Sequence, residues 1–280
     1  MFRFPSGPLK AGYAVAVWNR SAAPAEALKA QGARVCASPA DFTDCEVLIS
    51  MLADDDISRD VVIGQGALAA LPQGAVWINM ATVSVAFTEE MAAKTSARSC
   101  RYVSAPVLGR VDVAAAGNLN ILTAGNSELL DEVQPIFAVL GSKTWRFGDK
   151  PEQAAAVKLA ANFMLASAIE AMGESAALVG AYDVTPADFL GMLTSTLFAA
   201  PAYKNYGAMI VENRYTPAGF TMKLGLKDVR LAQQAAESKH VPMGIAGVLR
   251  DNYLDALAHG DEHLDWAALA TVSARRSGKA

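Results

Sequence analysis

Cysteine is scarce in this chain: Cys36, Cys45 and Cys100 are the whole set, an odd number with no ligand spacing. That argues against a disulfide framework and fits a reducing compartment. No block of Lys or Arg interrupts the sequence and the net charge is −4, so no nucleic-acid partner is expected. A long uninterrupted apolar run is also missing. The most apolar stretch, residues 154–179, is broken by Glu170 and Glu174, short of the roughly 20 apolar residues that cross a bilayer. No membrane partner is expected. Near the start, Arg3 and the short run at residues 14–18 make a poor signal peptide, which leaves the cytoplasm as the expected location. The chain shows no internal repeat and no low-complexity tract.

Histidine is equally sparse, three residues, two of them in His259-Gly260-Asp261-Glu262-His263. That matches H-x-x-E-H, which binds zinc only when both histidines share one helix. Gly260 and Asp261 favour a turn instead, so no metal is expected. Ser84, Ser104 and the histidines form no recognisable nucleophile–base pattern.

What is present is a plentiful apolar content, 52 % over 280 residues, enough for one large domain or two ordinary ones. The first half alternates. Short apolar runs at residues 14–18, near Val35, and at 46–52, 75–80, 101–107, 119–124 and 143–147 read as strands. Helical stretches at about 22–31, 54–70, 84–97 and 128–139 separate them. Asp54, Asp55 and Asp56 open the second of these, where carboxylates complement the helix dipole. Strands alternating with helices of this length predict a mostly parallel sheet covered on both faces.

After Gly148 the pattern changes. Pro151 starts a helix of about 25–30 residues, long by ordinary standards. Thr185-Pro186 is an N-cap followed by proline at the first helical position. Further helices are expected at about 221–238 and 244–258, and no strand after Phe147. The expected organisation is therefore an α/β domain over residues 1–150 and an all-helical domain over 151–280, joined by the long helix.

Such an α/β domain invites comparison with dinucleotide-binding folds, whose first strand runs into G-x-G-x-x-G. Those glycines let backbone approach a pyrophosphate at a helix N-terminus. No such motif occurs here. If Phe2-Arg3-Phe4 were the first strand, fewer than ten residues would precede the strand at Ala14, whereas a parallel crossover needs about a dozen or more. First strand, phosphate loop and first helix do not all fit. A late start, an altered reading frame or a natural truncation would each give this picture. Weak cofactor binding and unpaired strand edges would follow.

The end of the second strand is intact and reads Asn19-Arg20-Ser21. An acidic residue there would accept from the ribose hydroxyls of NAD, whereas arginine suits the extra phosphate of NADP. A solvated strand-end arginine is the alternative. On the long helix, Lys158 and Asn162 lie four apart on one face among Ala, Leu, Val, Phe and Met. A lysine there either snorkels to water or is a working ammonium that gives a proton to a carbonyl oxygen.

The segments AGYAVAVWNRS, VLISMLADD, WINMATVS, SAPVLGR, KLAANF and LGLKDVRLA, in this order and spacing, resemble the β-hydroxyacid dehydrogenase family. That family includes 3-hydroxyisobutyrate dehydrogenase, glyoxylate/succinic semialdehyde reductases and, further off, 6-phosphogluconate dehydrogenase and imine reductases. The resemblance runs from about Ala11 to Trp266. It implies a Rossmann-like domain, with first strand and loop missing or altered, followed by an all-helical domain. It implies an NADP-dependent oxidoreductase moving a hydride between nicotinamide and a small carbonyl or hydroxy compound, acting as a homodimer or homotetramer.

By the same resemblance Lys158 matches the catalytic lysine and Asn162 a substrate-holding amide. Asn19, Arg20 and Ser21 match the NADP-type strand end, and Met51, Leu52 and Thr82 positions lining ribose and nicotinamide. Lys227, with Asp228 beside it, matches a lysine reaching the cofactor or active site. SAPVLGR departs from the family's D-A-P-V-S-G-G: Ser104 replaces Asp, Leu108 replaces Ser and Arg110 replaces the second Gly, while Gly109 remains. Substrate contacts are expected at these four residues. Leu108 makes the pocket more apolar, and Arg110 either supplies a charge for an acid substrate or faces solvent. Two other readings stay open: imine reduction, against which Lys158 argues, and a catalytically impaired homologue with a binding or structural role.

Overall fold

The computed structural model describes residues 6–278. Phe2, Arg3 and Phe4, weighed above as a first strand, lie outside the described residues. The chain divides into two compact units, the first ending at Lys158 and the second beginning at Leu159.

The first unit is the expected α/β domain. It opens with α1 (Ser6–Lys10), then β1 (Ala16–Val17), α2 (Ala22–Lys29), β2 (Arg34–Val35) and β3 (Val47–Ser50). α3 (Asp55–Arg59) and α4 (Ala67–Ala70) lead to β4 (Val76–Asn79), α5 (Val85–Ser96), β5 (Arg101–Ser104) and β6 (Val107–Leu108). α6 (Val111–Ala115), β7 (Leu119–Thr123), α7 (Ser127–Leu140) and β8 (Gly141–Arg146) complete it.

Three expectations need correction. The continuous helix over 54–70 is two short helices. A π-helical turn, Asp60–Gly64, follows α3, and Gly66 at φ +82° then redirects the chain. A β-carbon disfavours that left-handed conformation and glycine does not. The run RYVSAPV is two strands, β5 and β6, parted at Ala105-Pro106. Finally, the single sheet is three short ones: β1–β2, β3–β4–β5 and β6–β7–β8. All pairings are parallel except β6 with β7. β1 pairs only with β2 and β3 only with β4, and among the described residues no strand joins β1 to β3. Side chains hold this region instead: Ala16 and Trp18 pack against the apolar cluster of Leu48, Trp77, Phe87 and Met91.

The second unit is helical. α8 (Pro151–Ala181) runs into it, followed by α9 (Pro186–Ser195), α10 (Pro201–Val211), α11 (Met222–Glu237), α12 (Gly244–Ala258) and α13 (Thr271–Arg276). Thr185 caps α9 by accepting from the Asp188 amide at 3.1 Å. One apolar cluster fills the unit, with Ile169, Met172, Leu226, Val229, Leu249, Tyr253 and Trp266 among its members. α8 is, by length and composition, apolar enough to cross a membrane, despite the two glutamates that argued otherwise. Here Ala166, Ile169 and Met172 of α8 are buried in that cluster. Gly173 lets α8 approach the chain closely: a β-carbon there would stand 2.4 Å from Ala270 Cα. α12 ends at Ala258 and Gly260 takes φ +84°, so His259 and His263 share no helix.

Candidate active site

In an open α/β sheet, ligands bind beyond the carboxyl ends of the strands. Ser50, Asn79 and Ser104 end β3, β4 and β5 and stand side by side in register. Met51 and Leu52 follow the first of these residues and Thr82 lies three positions after the second. The sheet therefore brings Met51, Leu52, Thr82 and Ser104 to one edge. All but Ser104, which is buried, are half-buried.

The loop from β6 into α6 carries the remaining predicted substrate residues. Leu108 is half-buried and pairs with Asn120 of β7. Gly109 has φ +144°, and a β-carbon on it would stand 2.7 Å from Leu119 Cδ2 and 2.9 Å from Val113 Cγ1. Conformation and space both demand glycine, which explains why this residue survives in an otherwise altered segment. Arg110, half-buried, is the cap position of α6.

The end of β1 is different in character. Asn19, Arg20 and Ser21 are all exposed. The Asn19 amide donates to the Ser21 carbonyl at 2.8 Å and to its hydroxyl at 2.9 Å. That side-chain bracket shapes the turn around Arg20. β1 belongs to a separate two-stranded sheet, so the strand ladders do not tie this turn to the β3–β4–β5 edge.

On α8, Lys158 is 8 % exposed and Asn162 4 %. Asn162 Nδ2 donates to Asp228 Oδ2 at 2.5 Å. Asp228, only 1 % exposed, lies in the buried stripe of α11, and the Lys227 ammonium stands 3.0 Å from its other oxygen. The geometry there pairs the charges without a hydrogen bond to Oδ1. A carboxylate only accepts, so it takes the Nδ2 side of the amide and turns the Oδ1 side away. Asp228 thus orients Asn162, a role the sequence reading assigned to no residue; it placed Asp228 only beside Lys227. The available signal was a carboxylate amid the apolar residues of LGLKDV.

The residues fit a nicotinamide nucleotide at two places. An exposed arginine stands at the end of the second predicted strand, and half-buried loops stand at the sheet's carboxyl edge. Neither feature supplies a glycine-rich cradle for a pyrophosphate.

Comparisons with known proteins agree with this architecture. The profile of the NAD binding domain of 6-phosphogluconate dehydrogenase matches residues 6–148. A second, NAD-binding of NADP-dependent 3-hydroxyisobutyrate dehydrogenase, matches residues 153–273. The chain belongs to the 3-hydroxyisobutyrate dehydrogenase-like β-hydroxyacid dehydrogenase family, a family of NAD(P)-dependent oxidoreductases of the hydroxyacid type. Among relatives, the uncharacterized oxidoreductase YfjR of Bacillus subtilis is 36 % identical, covering 93 % of this chain and 92 % of its own length. Glyoxylate/succinic semialdehyde reductase 1 of Arabidopsis thaliana is 31 % identical, covering 93 % and 90 %. The crystal structure of 3-hydroxyisobutyrate dehydrogenase from Salmonella typhimurium superposes with a TM-score of 0.86 at 21 % identity, covering 95 % and 94 %. At that identity the likeness is one of fold.

Proposed function

We propose that this chain is an NADP-preferring, cytoplasmic dehydrogenase or reductase of a small carbonyl or hydroxy compound, with Lys158 as general acid in reduction and general base in oxidation. The observation that carries the reading is Lys158 itself, an amine only 8 % exposed on an apolar helix face. Burying an ammonium is costly, and a proton donor beside a reacting carbonyl gives that cost a use. When bound, the nicotinamide would supply or accept the hydride. Lys158 Nζ gives its proton to the substrate oxygen as that oxygen gains charge, and takes it back in oxidation. Asn162, held by Asp228, orients the substrate.

Arg20, with Asn19 and Ser21 shaping its turn, takes the 2′-phosphate. Met51, Leu52 and Thr82 line the ribose and nicotinamide, and Lys227 is a further cofactor contact. Ser104, Leu108, Gly109 and Arg110 contact the substrate: an apolar group against Leu108 and, in an acid substrate, a carboxylate at Arg110. Self-association belongs to the same reading, because the helical unit exposes Met164, Tyr182 and Leu197 by 70, 77 and 83 %. Light scattering on the purified chain should return a dimer or tetramer.

The test is a fluorescence titration with NADPH and NADH, then kinetics of Lys158→Ala. NADPH should bind more tightly than NADH, and Arg20→Ala should narrow the gap. Lys158→Ala should lower kcat by about 10²–10⁴-fold while NADPH still binds. Carbonyl reduction surviving nearly intact in Lys158→Ala would refute the assigned mechanism.

A further inference from the structure

The loops that follow β3 and β4 depend on one buried amide. Asn79 is 1 % exposed at the end of a strand otherwise made of Val, Trp and Ile. In such surroundings an amide must find partners or lose its hydration without compensation. Its Oδ1 accepts from the Ala81 N–H at 3.1 Å and from the Ser50 hydroxyl at 3.3 Å. Its Nδ2 donates to Tyr102 Oη at 3.1 Å. The Ser50 hydroxyl in turn accepts from Trp77 Nε1 at 2.8 Å. One side chain thus links three strands to the loop that contains Thr82.

The other end of that loop is tied as well. The Ser84 N–H donates to Asp55 Oδ1 at 2.9 Å, and Asp55 sits in the first turn of α3, just past Met51 and Leu52. Sheet formation does not require either tie, since backbone ladders already hold Ser50, Asn79 and Ser104 in register. Asp54, not Asp55, caps α3, accepting from Ile57 at 2.8 Å. Both ties instead end on main-chain N–H groups of residues 81 and 84. Their shared effect is to set the path of the 80–84 loop against the 51–54 loop.

We infer that Asn79 and Asp55 are positioning residues for the nicotinamide end of the cofactor site, acting through the Ala81 and Ser84 amides on the loop that carries Thr82. The inference rests on the NADP reading above and adds two residues to it. Neither residue needs to touch the nucleotide. A merely structural role would weaken every nucleotide alike, whereas a positioning role falls on the half of the cofactor that the loop meets.

The experiment compares two ligands on the full chain. NADPH carries the nicotinamide; 2′,5′-ADP carries the adenosine and its extra phosphate but no nicotinamide. Fluorescence gives the Kd of the first and calorimetry that of the second. Asn79→Ala and Asp55→Ala should each weaken NADPH about tenfold and leave 2′,5′-ADP within about twofold. Asp55 is half-buried at a helix start, so Asp55→Ala decides the matter if Asn79→Ala does not fold. Equal weakening of both ligands, or no change in either, overturns the inference and leaves the NADP reading standing. A wild-type chain that binds neither ligand removes that reading first, and the inference with it.

Discussion

Among the described residues before α8, the polar side chains buried in the sheet unit are neutral, Ser50, Asn79, Thr88, Ser104 and Thr123 among them, whereas those of the helical unit include three carboxylates, Glu170, Asp228 and Asp265. Hydroxyls and amides are satisfied locally: Thr95 donates to the Met91 carbonyl at 2.7 Å, and the Asn79 group closes on itself across three strands. A carboxylate needs more, because its charge loses far more hydration than a hydroxyl does. The helical unit meets that need unevenly. Asp265 accepts from the backbone of Gly219, Phe220 and Ala267 at 2.9, 3.2 and 3.1 Å. Asp228 has the Asn162 amide and the Lys227 ammonium. Glu170 accepts from Asn252 Nδ2 at 2.6 Å, and its second oxygen has no hydrogen-bond partner. The contrast teaches that single lesions in the helical unit should cost more, and that its stability should fall as pH rises through the range of its raised buried carboxyl.

The largest difference is expected from matched deletions. Asp228→Ala removes a buried carboxylate from the Lys227 ammonium and the Asn162 amide and should cost about 3–5 kcal/mol. Ser50→Ala, in the sheet unit, takes away the acceptor of Trp77 Nε1 and one donor to Asn79, and should cost about 1–2 kcal/mol. Urea unfolding followed by circular dichroism measures both. Equal costs would break the contrast between the units.

The alternation of strands and helices was legible because burial repeats along the chain at periods of two and 3.6. The breaks were harder to see. The bend after Gly64 depends on one left-handed glycine, Gly66, inside a stretch whose apolar period looks helical. β6 turns antiparallel after Pro106 although its residues, Val and Leu, suit any strand. α10 went unnoticed although Pro201 stands at its start, a position proline favours. In the site, Lys158 and Asn162 were visible together because four residues on a helix share a face. The partner of Asn162 was not, because Asp228 is 66 residues away and meets it only through tertiary packing. Asn79 was hidden for a similar reason: Ser50 and Tyr102 lie 29 and 23 residues from it and converge through strand register.

A smaller effect should appear in the pH dependence. Burial pushes the Glu170 carboxyl from the ordinary 4.5 up to about 7; Asn252 and Arg276 pull it down and Glu174 pushes it further up. The Glu170 charge also helps push up the buried Tyr253 hydroxyl of α12, behind burial and Asp228. In that window the folded chain keeps a proton that the unfolded chain has released, so stability falls as pH rises. Above the window the deficit is complete, about 2–3 kcal/mol. Glu170→Gln keeps an acceptor for Asn252 and removes the charge. It should match wild type near about pH 4 and exceed it near about pH 8, with the two thermal-melt series diverging between. Parallel series would mean that this carboxylate is as well compensated as Asp265.

The smallest expected effect is the one whose sign matters most. Tyr253 is fully buried, and its hydroxyl has no hydrogen-bond partner. Gly225 makes room for it, since a β-carbon there would stand 2.6 Å from Oη. An orphaned hydroxyl loses water on folding and gains nothing back, so Tyr253→Phe should be neutral or stabilising by up to about 1 kcal/mol. Thermal melts of Tyr253→Phe and of Tyr253→Phe combined with Glu170→Gln read the sign. A loss of about 1 kcal/mol would instead require an internal water on Oη. If Glu170→Gln shrinks that loss, the water also serves the unpartnered oxygen of Glu170. The helical unit would then satisfy its least compensated carboxylate through solvent, and its contrast with the sheet unit would be one of partner type.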